Sequence, residues 1–197
     1  MVKLFHPAAL AGGAAAAGLS LGAVLRAAGP ADHAALAVLS AAAYANGPAA
    51  LLPAELRRRA TVERFSLLFA AAAEQGAKLL LAEGPAGPLG CALAEPPQAG
   101  ADARLTGLWV APHATGQGLG AALLSAMETL LAEAGAPSLR VRVPSGHLRA
   151  LGLFRRRGYA MQAAGQRTEP VLRVTLPHTV LAKPLAGFSP DRLGQAA

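Results

Sequence analysis

The residues whose types and order could do chemistry are concentrated in one stretch, Leu108-Trp109-Val110-Ala111-Pro112-His113-Ala114-Thr115-Gly116-Gln117-Gly118-Leu119-Gly120-Ala121. An apolar run ending in Ala-Pro passes through three glycines at alternate positions into a long segment of helical periodicity. A helix start leaves backbone N–H groups unpaired and carries partial positive charge, so such a junction suits a phosphate group. Gly116, Gly118 and Gly120 would let the backbone curl and approach a pyrophosphate without interference from Cβ atoms. The stretch therefore reads as an anion cradle. Two familiar nucleotide cradles fail on spacing. A P-loop requires a Lys after its last glycine, and none follows here. The dinucleotide fingerprint requires Gly-x-Gly-x-x-Gly and an acidic residue about twenty positions later. This chain has Gly-x-Gly-x-Gly, and its next strand candidate carries Arg140 and Arg142.

Other reactive side chains are scattered. Cys91 is the only cysteine, so an internal disulfide is impossible, in keeping with a reducing compartment. It sits in the apolar run Leu89 to Leu93 and reads as a buried structural thiol rather than a nucleophile. His33, His113 and His178 are free candidates for a general base, each read first as a surface or loop histidine. No histidine pair has helical metal-ligand spacing, so no metal is expected. Glu83, Glu95 and Asp102 stand at strand ends and read as solvated. The strands at 104–110 and 139–143 carry no carboxylate; Thr106, Arg140 and Arg142 are there instead.

These residues must be positioned by elements that the periodicity outlines. Leu21 to Arg26 reads as a first strand, and Pro30-Ala31-Asp32 starts a helix to about Ala45, stopped by Asn46-Gly47-Pro48. A second helical stretch begins near Pro53, carries its stripe on Leu56, Phe65, Leu68, Phe69 and Ala72, and ends at Gly76. Ala77–Glu83 and Leu89–Glu95 form a hairpin around a five-residue Gly/Pro turn, and Arg104–Val110 makes the next strand. A helix runs from Leu119 to about Ala134, and Leu139, Val141 and Val143 then alternate with arginines as in a strand. His147–Arg157 is a short helix, and Tyr159–Arg167 and Thr179–Lys183 are the last strands. The order is β-α-α-β-β-β-α-β-α-β-β, an α/β (α+β) chain with flanking helices around one sheet. Residues 19–185 read as one domain, with an irregular leader at 1–18 and an irregular tail at 186–197.

Composition narrows the class. The 197 residues suffice for one core, though an apolar fraction of 53% overstates it because about a quarter of the chain is Ala. The formal charge of +7 attracts anionic ligands, but the basic runs Arg57–Arg59 and Arg155–Arg157 are too short for a nucleic-acid tail. No nucleic-acid partner is expected. The Ala/Gly-rich stretch after Lys3 is interrupted by Gly12, Gly13, Gly18 and Gly22, and Ala gives little insertion energy. The reading is a cytoplasmic protein with no membrane partner.

The cradle resembles the acetyl-CoA signature of the GNAT N-acetyltransferase superfamily, a hydrophobic-x-Val-x-Pro strand end followed by Arg/Gln-x-x-Gly-x-Gly/Ala at a helix start. Leu108-Trp109-Val110-Ala111-Pro112 and Gly118-Leu119-Gly120-Ala121 match it. Ala150-Leu151-Gly152-Leu153-Phe154-Arg155-Arg156-Arg157-Gly158-Tyr159 resembles the second signature, Ala-x-x-Leu-Tyr-x-x-x-Gly-Phe/Tyr. The resemblance spans about 20 to 185 and implies a mixed, mostly antiparallel sheet of about seven strands, splayed between the fourth and fifth. It implies acetyl-CoA as co-substrate, with backbone groups of Leu108, Trp109 and Val110 on the pantetheine arm. Thr115, Gly116, Gln117, Gly118, Leu119, Gly120 and Ala121 would hold the pyrophosphate, and Arg155 or Arg156 could meet the 3′-phosphate. His147 stands where the family often has a cofactor-contacting Asn, or it is a solvent-facing residue at a helix start. Thr115 replaces the Arg/Gln, and Phe154 replaces the Tyr that protonates the departing thiolate. The implied reaction is attack of an amine on the thioester, its carbonyl polarised by the Val110 N–H. The expected acceptor is a small-molecule or peptide amine, and the expected assembly a monomer or homodimer. The alternative is a non-catalytic acyl-CoA-binding module of the same fold.

Overall fold

Alternation along Ser138–Pro144 shows how the sheet is built. Leu139, Val141 and Val143 are buried while Arg140 and Arg142 are exposed, so one face carries a core and the other is open. The structure, a computed structural model, describes residues 22–97 and 101–185. The leader expected at 1–18 and the tail expected at 186–197 lie outside the described residues. The strands are β1 (Val24–Ala27), β2 (Lys78–Gly84), β3 (Gly87–Glu95), β4 (Ala103–Val110), β5 (Ser138–Pro144), β6 (Ala160–Glu169) and β7 (Val174–Pro184). The helices are α1 (His33–Asn46), α2 (Ala54–Arg57), α3 (Val62–Glu74), α4 (Leu119–Glu133) and α5 (Leu148–Arg156). Among the described residues, no helix is long and apolar enough to cross a membrane.

The seven strands form one sheet in the order β1-β2-β3-β4-β5-β7-β6. Every neighbouring pair is antiparallel except β4 and β5, which run parallel and touch only through Ala103–Leu139, Arg104–Arg140 and Leu105–Val141. Beyond Leu105 the two strands part into a V. The register between β3 and β4 shifts at Leu93/Ala94, so Thr106 is an extra residue that bends β4 at the start of the opening. Helices α1 and α3 cover one face. Phe65 and Phe69 of α3 meet the Trp109 indole edge-on, with ring centroids 5.5 and 5.8 Å apart. Helix α4 covers the other face, where Leu123 packs against Gly90. Trp109 can lie flat along β4 only because residue 107 is glycine, since a Cβ there would fall inside the indole ring.

Three elements differ from the periodicity. The helical stretch from Pro53 is two helices, because Thr61 caps a fresh start by accepting from the Arg64 N–H at 3.4 Å. Leu56 therefore lies on α2 and only the later apolar residues form the α3 stripe. The first hairpin turn is tighter than five residues: Gly84 pairs with Gly87, leaving Pro85-Ala86 at its tip. Strands β6 and β7 are longer than expected, and their hairpin closes through Pro170–Arg173, where the Arg173 N–H bonds the Glu169 carbonyl. The exposed sequence of β6 hides this extension, because nine of its residues run exposed in succession without alternation.

Candidate functional site

The cradle is built by the backbone. Gly116 and Gly118 have φ of +81° and +80°, a left-handed conformation that side chains resist, and nothing lies within 4 Å of a Cβ at either. Gly118 is the N-cap of α4; no side chain caps this end, and the first helical bond runs from the Ala122 N–H to the Gly118 carbonyl. The N–H groups of Leu119, Gly120 and Ala121 thus have no helical acceptor. The loop is braced from within. The Thr115 hydroxyl donates to the Pro112 carbonyl at 2.9 Å and the Gln117 amide to the His113 carbonyl at 3.2 Å. Thr115 therefore serves its own loop where the signature has Arg or Gln. Gly120 is different: it lies inside the helix, and a Cβ would meet Leu153 and Val110 at an ordinary 3.7 Å.

The open V supplies a second set of unpaired backbone groups. The Ala111 N–H donates to the Leu89 carbonyl, which makes Gly90–Val110 a non-hydrogen-bonded antiparallel pair. Val110, and by the two-residue period Leu108, therefore turn their N–H and C=O away from β3 and toward β5, which has already parted. An extended amide-bearing chain laid in the V would find strand-like partners there. Trp109 faces the other way, with its indole in the α3 aromatic cluster.

A cavity of about 780 Å³ joins the two features and continues to the α1 side of the sheet. Leu108, Trp109, Val110, Thr115, Gly116, Gly118, Leu119, Gly120, Ala121, His147 and Phe154 all line it, so the structure brings together every expected cofactor residue except Gln117. His113 does not line it either, nor does Arg155, whereas Arg149, Arg156 and Arg157 do. His147 caps α5 beside Gly47, and burial first, then the neighbouring Arg149 charge, holds its pKa below the usual imidazole value. It is half-buried and faces the cavity rather than open solvent.

The acid and base positions are changed. Phe154 is 3% exposed and stacks edge-on with Tyr159 at 5.2 Å. The Tyr159 hydroxyl is turned into α4, where it donates to Glu128 at 3.0 Å, and Lys183 pairs with the same carboxylate at 2.8 Å. That phenol is committed to the fold.

Two carboxylates and one phenol at the cavity were not legible as site residues. Glu95, expected to be solvated, is held by Arg104 and by the Thr106 hydroxyl at 2.9 Å. Asp102 likewise pairs with Arg140 at 2.6 Å and accepts from Ser138, and Glu83 pairs with Arg26 at 2.7 Å. Glu169 is 6% exposed and borders the cavity; burial raises its pKa, and the Leu172 N–H bonds it at 2.5 Å. It faces Tyr44, whose buried hydroxyl is directed at that carboxylate and whose pKa is raised by burial, by the Glu169 charge and by its interaction with the Glu169 oxygens. Arg64 anchors this hairpin by donating to the Val171 and Leu172 carbonyls at 2.8 and 3.1 Å. His178, expected on the surface, is buried on β7 and bonds the Leu176 carbonyl at 2.9 Å. No spacing or pattern in the chain singles out Glu169.

Cys91 is fully buried against Ser40, and burial pushes its thiol up to about 12. Among the described residues, no group of three or more His, Cys, Asp or Glu side chains could hold a metal.

Comparison with known proteins gives the same picture. The solved structure of a GCN5-related N-acetyltransferase from Rhodopseudomonas palustris is 24% identical, with a TM-score of 0.63 over 83% of this chain and 96% of that one. The ribosomal-protein-S18-alanine N-acetyltransferase of Escherichia coli is 17% identical, with a TM-score of 0.64 over 83% and 94%. A phosphinothricin acetyltransferase of Sinorhizobium meliloti, solved with AcCoA, is 21% identical, with a TM-score of 0.63 over 83% and 89%. No curated protein matches. Residues 49–159, which hold β2 through α5 and with them the V, the cradle and Phe154, match the family described as Acetyltransferase (GNAT) family. With a parted β4–β5 pair, a glycine cradle and this match over more than half of its length, the chain belongs to the GNAT acetyltransferase family.

Proposed function

We propose that this protein is an acetyl-CoA-dependent N-acetyltransferase of the cytoplasm, acting on the amine of a small molecule or peptide. The observation that carries the reading is the continuity of unpaired backbone donors, from Leu108 and Val110 along the open β4 edge to Leu119–Ala121 at the α4 start. Acetyl-CoA would supply an acetyl group activated as a thioester. The cradle residues would bind its pyrophosphate, Arg149 and Arg156 would meet further phosphate charge, and the β4 N–H groups would hold the arm and polarise the thioester carbonyl.

The amine must lose a proton as its nitrogen bonds the acetyl carbon and the carbon–sulfur bond breaks. Glu95 is a poor acceptor, because Arg104 and Thr106 already occupy its oxygens. Glu169 is the better one, because it is held by backbone N–H groups rather than paired with an arginine, and burial at the α1 side of the cavity raises its basicity. Tyr44, its hydroxyl directed at Glu169 on the cavity wall, would orient the amine or relay its proton. The thiolate would take its proton from water, since neither Phe154 nor Tyr159 can give one. Holding amine and thioester together then supplies much of the acceleration.

Thermal unfolding with and without acetyl-CoA, with NADH and ATP as controls, tests the binding. Ligand at a hundred times its dissociation constant should add about 2.7 kcal/mol. Release of CoA in the presence of amines tests the chemistry. The Phe154 and Tyr159 arrangement favours a second reading, a member that binds acyl-CoA without turnover. A clear acetyl-CoA shift with no CoA release from any amine would select it.

A further inference from the structure

We infer that the acceptor is an amine that also carries a carboxylate, and that Arg142 holds that carboxylate. The inference rests on the acyltransfer reading above. Register places Glu95, Arg104, Arg140 and Arg142 on the α1/α3 face of the sheet, opposite α4 and its glycine cradle. Arg142 follows Val141, the last residue of β5 that β4 pairs, and so stands at the closed end of the V. There the arm of a bound co-substrate would end. On this face Arg104 is neutralised by Glu95 and Arg140 by Asp102, while Arg142 has no ion-pair partner among the described residues. Arg142 and Arg104 both line the cavity that Tyr44 and Glu169 border from the α1 side.

The charge balance of the cavity points the same way. Its ionic lining is five arginines (Arg104, Arg142, Arg149, Arg156, Arg157) against Glu95 and Glu169. Arg149 and Arg156 lie on α5 and answer to the phosphates of acetyl-CoA; Arg142 lies on the opposite face and is left over. Partial desolvation first, then the Arg104 and Arg167 charges, lower the Arg142 pKa against the opposing pull of Glu95, and a bound anion would favour the charged form further. A guanidinium fork suits a carboxylate in bidentate fashion. An acceptor of amino-acid type would thus place its carboxylate on Arg142 and its amine toward Glu169, beside the thioester.

The test compares amino acids with their carboxamides as acceptors, following CoA release by the wild type, Arg142→Met and Arg142→Lys. Arg142 is exposed and unpaired, so both variants should fold. The expected result is a strong preference of the wild type for the acids. In Arg142→Met the KM for acids should rise roughly 10- to 100-fold, as for loss of a charge-assisted pair, with Lys restoring part of it. The KM for acetyl-CoA and for the carboxamides should not move. Equal use of acids and amides by the wild type, or a rise in the acetyl-CoA KM instead, overturns the inference and leaves acyl transfer standing. If no amine is turned over, the CoA-loaded protein is heated with amino acids: stabilisation lost in Arg142→Met supports the site, and none in the wild type overturns it. Absence of any acetyl-CoA shift in the wild type removes the underlying reading and this one with it.

Discussion

Gly118 and Gly120 stand two residues apart in the signature, yet the structure requires opposite outcomes when each becomes alanine. Gly118 holds φ at +80° with open space where a Cβ would go, so Gly118→Ala meets backbone strain rather than a clash. A left-handed L-residue costs about 1–2 kcal/mol, partly offset by the roughly 0.4–1 kcal/mol gained from restricting the unfolded chain. The net loss is about 1 kcal/mol, or roughly 2–4 °C in Tm for a chain of this size. Gly120 is helical and its Cβ would meet Leu153 and Val110 at 3.7 Å, so Gly120→Ala should gain up to about 1 kcal/mol from helix propensity. Binding should separate the two further. Relief of the Gly118 strain rotates the adjoining N–H groups off the phosphate, and each charge-assisted bond lost is worth about 1.5–3 kcal/mol, a 10- to 100-fold loss in acetyl-CoA affinity. Differential scanning fluorimetry with and without acetyl-CoA reads both effects in one experiment. Gly118→Ala should melt lower and respond weakly to acetyl-CoA, and Gly120→Ala should melt at or above the wild type and respond fully. A Gly120→Ala protein less stable than Gly118→Ala, or equal acetyl-CoA shifts in both, would refute the assignment of the cradle to the left-handed glycines.

Three further outcomes are expected. Glu169→Gln should lower kcat by about 10²–10⁴ and remove the limb on which kcat/KM rises with pH, because the unprotonated carboxylate is the working form. Its folded pKa is raised, so this group's stability contribution is present below the ordinary Glu value and lost as pH rises through the raised one. The same variant should therefore be at least as stable at pH 7; a less stable, fully active protein contradicts both roles. Gly107→Ala drives a methyl into the Trp109 ring and loosens its contacts with Phe65 and Phe69, at a cost of about 3 kcal/mol. Urea unfolding should show that loss, with Trp109→Leu recovering part of it in the double variant. The Cys91 thiol, pushed up to about 12, should react with a maleimide at pH 7.5 only as fast as the protein unfolds, and prompt modification would place it outside the core.

Local pattern was enough to outline the glycine loop. Three glycines between an apolar strand and an amphipathic helix prescribe a helix start free of side chains, and the structure has that start at Gly118. The strand alternation of Leu139, Val141 and Val143 and the helix period of Leu119 to Leu131 were equally plain, because each element meets only one buried face. The acceptor half was not legible. Glu95 and Asp102 looked solvated because their arginine partners come from neighbouring strands, and no spacing in the chain announces register. The β6 extension was missed because its residues are exposed one after another and offer no period to read.

The sequence by itself determined the cradle, the succession of elements and the loss of the phenol at Phe154, since each is a property of residue type and near neighbours. The tertiary structure alone decided that β4 and β5 part after Leu105, that Arg142 stands at the closed end of that opening, and that Glu169 faces Tyr44. Those facts depend on contacts between residues far apart in the chain, such as Arg64 anchoring Val171 and Leu172. The burial of the Glu169 carboxylate and the unmatched charge of Arg142 are both set by how distant segments pack.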